Sequence, residues 1–430
     1  MRIRDWDRNL KVRLFGEAAI NITFWMFFPF LTIYFTESFG KQTAGLLLVL
    51  SQVFAVVANL MGGYCADRFG RKRMMVFSAF GQGFAFLIFG LASSPWLDSA
   101  MIGFICFSLV GVFGSFYWPA SQAMVADVVD EKDRSHVFAV FYTSINIAVV
   151  IGPILGGIFY VHYRFELLLS AALICMMLGL LLYKMTRETA PTDKSKLLVT
   201  EGKKKVWYSV MTDQFKDYGV IFKDKTFLLF ILAGILVGQT FMQLDLLIPV
   251  YIKDVMDQAT LFSIGNWSLT LVSEQVFGLI LSENGFLVAL LTVVITRWIT
   301  KFRERNVFIL SSVIYAISIF MFGQTSSVWL FIIAMAVFTF AELMTAGIQQ
   351  SFVSKLAPDH MRGQYFAAAS LRFTIARTIA PLSITLSLYV GYDWTFIILS
   401  ILALISAGLF FIMFERFEKE QASVKKEVNS

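Results

Sequence analysis

The sequence predicts an all-α integral membrane protein, with twelve transmembrane helices in two pseudo-symmetric six-helix bundles. Three observations lead there: the apolar content, the sidedness of the basic residues and an internal repeat. Of 430 residues, 57% are hydrophobic and 15% charged, and the mean hydropathy is +0.71. A bilayer-crossing helix uses roughly 20 apolar residues, so about 245 apolar positions supply about twelve crossings and leave little for a soluble domain. No single soluble core could hide that much apolar surface, which excludes a soluble enzyme. Disorder and a secreted disulfide scaffold are excluded as well, the latter because the chain has 3 Cys. Cys65, Cys106 and Cys175 lie in apolar runs without ligand spacing and read as packing residues.

The apolar runs fall near 14–36, 43–65, 74–93, 99–121, 137–160, 165–185, 226–250, 276–298, 306–324, 328–350, 364–388 and 392–414. Alternate sides of these runs differ sharply in basic charge. One side carries 31 Lys and Arg, beginning with Arg2, Arg4, Arg8, Lys11 and Arg13; the other carries Lys41, Arg164 and Lys253. By the positive-inside rule both termini face the cytoplasm of a multi-pass protein in the cell membrane. The net charge of +6 is spread over many short loops, so it orients the protein at an anionic leaflet and excludes nucleic acid as a partner. The basic N-terminal segment runs into a span too long for a cleavable signal core. Asn266-Trp267-Ser268 fits a glycosylation pattern in an outer loop.

The long polar stretch 186–225, with Lys203-Lys204-Lys205, divides the spans six and six. The expected organisation is a bundle over 1–185, a cytoplasmic linker over 186–225 with a short surface helix around Trp207–Tyr218, a second bundle over 226–414 and a cytoplasmic tail over 415–430. Shifting the first half by 228 residues brings Pro153 onto Pro381, Arg134 onto Arg362, Gln122 onto Gln350 and Phe138-Ala139 onto Phe366-Ala367. Two repeats related by an axis along the membrane normal enclose a midplane cavity, which is transporter architecture. The outer segment 252–275 reads as a connector or, with Phe262, Ile264 and Trp267, as an interfacial surface helix.

Between spans two and three lies Gly63-Tyr64-Cys65-Ala66-Asp67-Arg68-Phe69-Gly70-Arg71-Lys72. Gly70 permits a tight turn, Asp67 can face a helix N-terminus, and Arg68, Arg71 and Lys72 can pair with Asp127, Asp130, Glu131 or Asp133. Such pairs either latch a gate or are plain positive-inside charge. This decapeptide resembles the signature loop of the major facilitator superfamily, Gly-x-x-x-Asp-Arg-x-Gly-Arg-Arg/Lys. The resemblance implies a cytoplasmic gate latch at Gly63, Asp67, Arg68, Gly70 and Arg71, with Lys72 beside them. The second-half copy, Thr296–Lys301, lacks both the acid and the glycine. In span five, Gly152-Pro153-Ile154-Leu155-Gly156-Gly157 combines a helix-bending proline with glycines that admit a close neighbour. It resembles the Gly-x-x-x-Gly-Pro-x-x-Gly-Gly motif of proton-linked exporters, with Ala148 in place of the first glycine. Those exporters carry an arginine in span four, whereas Ser99–Ser121 has no charged residue.

Ionisable groups inside spans are costly and usually functional. Glu17 lies about a turn inside span one and either pairs with Arg13 or binds protons and cations, as the similar acid of multidrug exporters does. Asp245, beside Gln239 and Gln243, is either a site residue or rim-exposed. Glu342 lies about 21 Å from one end of its span and Arg372 about 12 Å from the opposite end of the next, similar depths at which the two could pair. Arg377, further out, is the candidate for coupling or a substrate carboxylate; Glu283 and Asn284 are weaker candidates. Tyr117, Trp118 and Pro119, with Trp25, Phe27 and Phe28, could line an apolar pocket for lipophilic cations. His136, His162 and His360 show no metal spacing, and there is no nucleotide or protease signature.

The resulting expectation is a monomeric secondary transporter, not an enzyme, without cofactor or metal, driven by a proton gradient and working by alternating access. Efflux of lipophilic or cationic small molecules leads; uptake of a small polar solute, lipid or glycolipid flipping, and a non-transporting sensor are the alternatives.

Overall fold

The computed structural model describes residues 3–190, 224–265, 267–346, 348–357 and 362–428. Lys203-Lys204-Lys205, the helix expected around Trp207–Tyr218, Asn266 and His360 lie outside the described residues, as do the side chains of Arg134, Gln350 and Arg362. Two compact units emerge, Met1–Phe39 with Leu50–Asp213, and Gly40–Val49 with Gln214–Ser430.

The first unit is built on α1 (Arg8–Phe69), α2 (Arg71–Ala92), α3 (Ala100–Val128) and α4 (Glu131–Met185). Asp7 caps α1 by accepting the Asn9 amide, and Ser99 caps α3 by accepting that of Ile102. A straight helix of 62 residues would reach about 93 Å, far beyond a bilayer core. The chain breaks it at Gly40, where φ is 75°, a value that glycine adopts freely. The 55 residues of α4 break at Tyr163. A minimal hairpin, β1 (Ser93–Ser94) with β2 (Leu97–Asp98), joins α2 to α3. Phe35 packs with Phe89, Phe104 and Phe107 in the interior.

The second unit contains α5 (Lys225–Met242), a 3-10 turn at Gln243–Asp245, α6 (Leu247–Val255), β3 (Gln258–Ile264), β4 (Trp267–Val272), α7 (Ser273–Ile299), α8 (Glu304–Gly323), α9 (Val328–Ala346), α10 (Gln349–Leu356), α11 (Arg362–Ile379) and α12 (Leu382–Val428). Its core is aromatic: Phe230, Phe308, Phe352, Phe410 and Phe414 pack ring against ring. Serines, three of them buried, stitch helix to helix. Ser311 donates to the Ala341 carbonyl (2.7 Å), Ser318 to Ala334 (3.0 Å), Ser400 to Ala316 (2.9 Å) and Ser406 to Ala233 (2.8 Å). Such bonds matter in a bilayer, where lipid tails are as apolar as the side chains and helix association draws on packing and polar contacts. The same logic explains the outward faces: Phe84, Leu173, Leu290 and Val294 are exposed, which suits lipid and not water.

Among the described residues, nine helical stretches are long and apolar enough to cross a membrane. The difference from twelve separate spans has physical causes. α1 runs through the predicted spans one and two, and α4 through five and six. α11 carries Arg362, Arg372 and Arg377, which lower its apolar character. α12 starts within the predicted span eleven, breaks at Gly391 (φ 80°) and continues through span twelve into 415–428. The predicted span seven is interrupted at Gln243–Leu246.

Within 252–275, residues 258–272 form a connecting antiparallel hairpin and not the alternative surface helix, with Gln258 opposite Val272 and Ile264 opposite Trp267. A bulge shifts the register between Thr260 and Phe262, and Gly265, at φ 61°, makes the turn. Trp329 Nε1 donates to the Leu261 carbonyl at 3.0 Å and ties the hairpin to α9.

Candidate functional site

At the junction of α1 and α2 the signature residues form a charge cluster. Arg71 bonds Asp67 one turn earlier (2.8 Å) and Asp127 of α3 (3.1 Å), and its guanidinium also donates to the Ala66 carbonyl (3.1 Å). Asp67 and Arg68 are exposed, and Arg68 turns back onto Tyr64. Lys72 Nζ donates to the Thr186 carbonyl (2.8 Å). Gly63 has open space around it. Gly70, at φ 101°, closes α1 and opens α2, and a Cβ there would collide with the Glu188 carboxylate.

Glu188 is a member of this cluster that sequence reasoning missed. Its Oε1 accepts the backbone N–H of Arg71 (2.8 Å), Lys72 (3.3 Å), Thr189 (3.0 Å) and Ala190 (3.1 Å). An acid at a helix N-terminus meets exposed N–H donors and the positive end of the helix dipole. Partial burial works to raise its pKa, but the backbone donors outweigh it and hold the carboxyl below the ordinary glutamate value. The same short segment is tied down elsewhere: Thr189 Oγ1 bonds Asp127 (3.1 Å), and Arg187 bonds Asp7 (2.9 Å). The only advance signal for it was an acid placed just beyond the end of α4.

Deeper in the first unit, Glu17 is held on two sides. Arg13 Nε donates to Glu17 Oε1 at 2.7 Å, and Tyr117 O–H donates to the same oxygen at 2.8 Å. Arg13 is 1% exposed; it also donates to the Ser121 carbonyl (2.6 Å) and stacks on Phe141 at 4.7 Å. The aromatic wall expected beside Tyr117 does not assemble. Trp118 is exposed, while Phe27 is buried against Phe86. Trp25 and Phe28 instead cluster with Phe24. Gly152 and Gly156 of α4 lie against the Trp25 and Met26 backbone of α1, where a Cβ would sit 2.4 Å from Trp25 Cβ and 2.2 Å from the Met26 carbonyl oxygen. Pro153 and Gly157 are buried beside them.

In the second unit Asp245 occupies the 3-10 turn, partly buried, with the Arg377 charge acting on it. Around them Gln239 donates to the Ala376 carbonyl (3.1 Å), and Ser383 donates to Gln243 Oε1 (2.6 Å). The pairing expected between Glu342 and Arg372 is not made. Arg372 is 4% exposed and donates to the Ala369 carbonyl (3.0 Å) and Gln349 Oε1 (3.3 Å), with its guanidinium 4.5 Å above the Phe230 ring. Glu342 instead accepts Asn284 Nδ2 of α7 at 3.0 Å, and the same nitrogen donates to Thr339 Oγ1 at 2.9 Å. Similar depth along two helices did not bring the side chains to facing sides.

At another end of this unit Lys41 bonds Asp254 at 2.6 Å. Tyr392 O–H donates to the same carboxylate oxygen at 2.7 Å, and the lysine lies 4.5 Å over the Tyr392 ring.

Membrane-length helices, buried ionisable groups and a charged loop between two of those helices define a multi-pass membrane protein of the secondary transporter class. The chain belongs to the Major Facilitator Superfamily, whose family model matches residues 14–272 and 260–429. Its work is therefore transport and not catalysis. It is similar to the "Na(+), Li(+), K(+)/H(+) antiporter" of Planococcus maritimus, with 57% identity over 421 residues covering 97% of this chain and 99% of that one. It is more distantly similar to "Multidrug resistance protein MdtH" of Salmonella choleraesuis, with 22% identity over 89% of this chain and 85% of the relative. Among solved structures, a POT family transporter in complex with 5-aminolevulinic acid shares the fold, with a TM-score of 0.76 at 18% identity over 96% of this chain and 97% of that chain.

Proposed function

We propose that this protein is a proton-coupled exchanger of small monovalent cations, with both termini in the cytoplasm. The observation that carries this reading is the identity of 57% across 97% of the chain to a protein named as a Na(+), Li(+), K(+)/H(+) antiporter. The chemistry of the interior agrees with it. Beside the buried arginines, the helices carry carboxylates, amides and hydroxyls, oxygen-bearing groups that suit a small hydrophilic ion better than a lipophilic drug. Twelve crossings follow if α1 and α4 each cross twice, at their breaks Gly40 and Tyr163, and α11 crosses despite its arginines. The two six-helix bundles then alternate access to opposite faces. Arg71, bridging Asp67 and Asp127, latches the cytoplasmic side, and the Lys41–Asp254 pair lies on the outer side. Gly152, Pro153, Gly156 and Gly157 set how closely α4 approaches α1 as the bundle moves.

A second reading, efflux of lipophilic cations, is supported by the distant similarity to a multidrug resistance protein and by the Phe24, Trp25 and Phe28 cluster. Proteoliposomes with a pH-sensitive dye inside and an imposed pH gradient separate the two. Adding Na+, Li+ or K+ should collapse the gradient, and Asp67→Asn should slow that collapse while the protein inserts normally. A gradient that responds to a cationic dye and to none of the three ions would overturn the cation reading in favour of the second.

A further inference from the structure

The membrane carboxylates of this protein differ in what offsets their charge. Glu17 has Arg13 at 2.7 Å, and Asp245 has the charge of Arg377. Glu342 and Glu283 have no basic partner among the described residues, and of the two only Glu342 is met by other polar side chains. Its neighbours come from the two helices packed on α9. Asn284 of α7 donates to its Oε2, and the Tyr315 hydroxyl of α8 is the titratable group acting with it. Arg372 and Glu283 make no hydrogen bond to it. A carboxylate kept in a low-dielectric interior without a counter-charge is strongly disfavoured, so Glu342 carries either a proton or another cation.

The surrounding atoms bear on the second. Thr339 and Glu342 stand three residues apart on one face of α9 and turn oxygens toward α7. Asn284 Nδ2 sits between them, 2.9 Å from Thr339 Oγ1 and 3.0 Å from Glu342 Oε2. The N–H donors of the amide thus occupy the point where two oxygens converge, as a cation would. Half a turn of the amide replaces that nitrogen with the Asn284 carbonyl oxygen, which accepts no hydrogen bond among the described residues. Carboxylate, amide carbonyl and hydroxyl oxygens then face one point. Oxygen ligands of this kind replace the hydration shell of a hard cation. Asn284 and Thr339 are 6% and 1% exposed, which fixes them, while Glu342 keeps partial exposure through which an ion can reach it. One carboxylate balances one positive charge, which selects a monovalent ion.

We propose that Glu342, Asn284 and Thr339 form the site at which a dehydrated monovalent cation and a proton compete for one negative charge. The assignment rests on the cation-exchange reading above. The exchange balances: the protonated Glu342 carboxyl takes up the cation and releases its proton to the open side, and the site stays neutral in both states. Asn284 presents its amino group to the empty site and its carbonyl to the loaded one.

The test uses the full-length protein in detergent, with 22Na+ binding and the proton release triggered by added Na+ in weak buffer. Wild type should bind Na+ and release protons. Glu342→Gln should lose both, and Asn284→Ala should bind roughly ten- to a hundredfold more weakly. Thr339→Val, which removes one oxygen at nearly constant volume, should also weaken binding, and it decides the matter should Glu342→Gln fail to fold. Exchange by wild type in proteoliposomes, with unchanged Na+ binding in folded Glu342→Gln or Thr339→Val, would overturn the site while leaving the cation reading intact. Loss of binding in Glu283→Gln alone would do the same. Wild type that neither binds nor exchanges any of the three ions would sink the reading on which the site rests.

Discussion

Glu17 in the first unit and Glu342 in the second are carboxylates of similar setting and opposite bookkeeping. Glu17 is clamped by a buried arginine and a tyrosine hydroxyl, so its charge is satisfied within the fold. Glu342 is held by an amide that offers hydrogen bonds but no charge. The contrast teaches that position inside a span does not by itself mark an exchangeable group; what neutralises the group does. Two further acids extend the range. Glu188 is satisfied by backbone N–H groups, and Asp254 by Lys41 and Tyr392.

The sharpest way to break this contrast is to remove the partner of Glu17. Arg13→Met leaves a carboxylate uncompensated and should destabilise the protein by about 3–5 kcal/mol, with much of the loss recovered by adding Glu17→Leu. Glu342→Gln should change stability by less than about 1 kcal/mol, because no pair is broken. Thermal unfolding in detergent measures both, and equal losses would erase the distinction. A middle effect concerns the packing that holds the Glu17 helix in place. Gly156→Val drives a side chain into the Met26 backbone and should destabilise by about 1–3 kcal/mol.

Glu188→Gln should destabilise by about 0.3–1 kcal/mol near neutral pH, the scale of a charge at a helix end. Because its folded carboxyl sits below the ordinary value, the contribution is complete above the unfolded pKa and fades as pH falls through the folded one. The difference between variant and wild type should therefore shrink on acidification, and a gap that widened would reverse the assignment. Smallest of all, a double-mutant cycle on Lys41 and Asp254 should give about 0.2–1 kcal/mol of coupling, since both groups are partly exposed. Added salt should weaken it.

Much of this architecture was legible from composition, because long apolar runs admit few structures in a bilayer. What escaped was azimuth and fine break points. The rise per residue placed Glu342 and Arg372 at similar depth, but depth says nothing about which way a side chain faces. Arg372 turned to the Ala369 carbonyl and the Phe230 ring. Gly40 and Gly391 looked like any loop glycines, yet they let single long helices fold over. The hairpin at 258–272 carries a bulge between Thr260 and Phe262 that blurs its alternation, so its sequence reads as a connector without showing the strands. Asn284 had been noted, but Thr339 carried no signal of its own until Glu342 was seen on the same face. Glu188 acts on main-chain donors that a sequence does not display.

Thr339 and Glu342 ride on one helix, and Asn284 rides on another. Sliding those two rods past each other by one helical turn, about 5.4 Å, would stretch contacts of 2.9 and 3.0 Å to roughly twice their length, beyond any bonding range. Grip on whatever lodges there is thereby geared to helix register, so a one-turn ratchet inside one bundle lets go of its cargo.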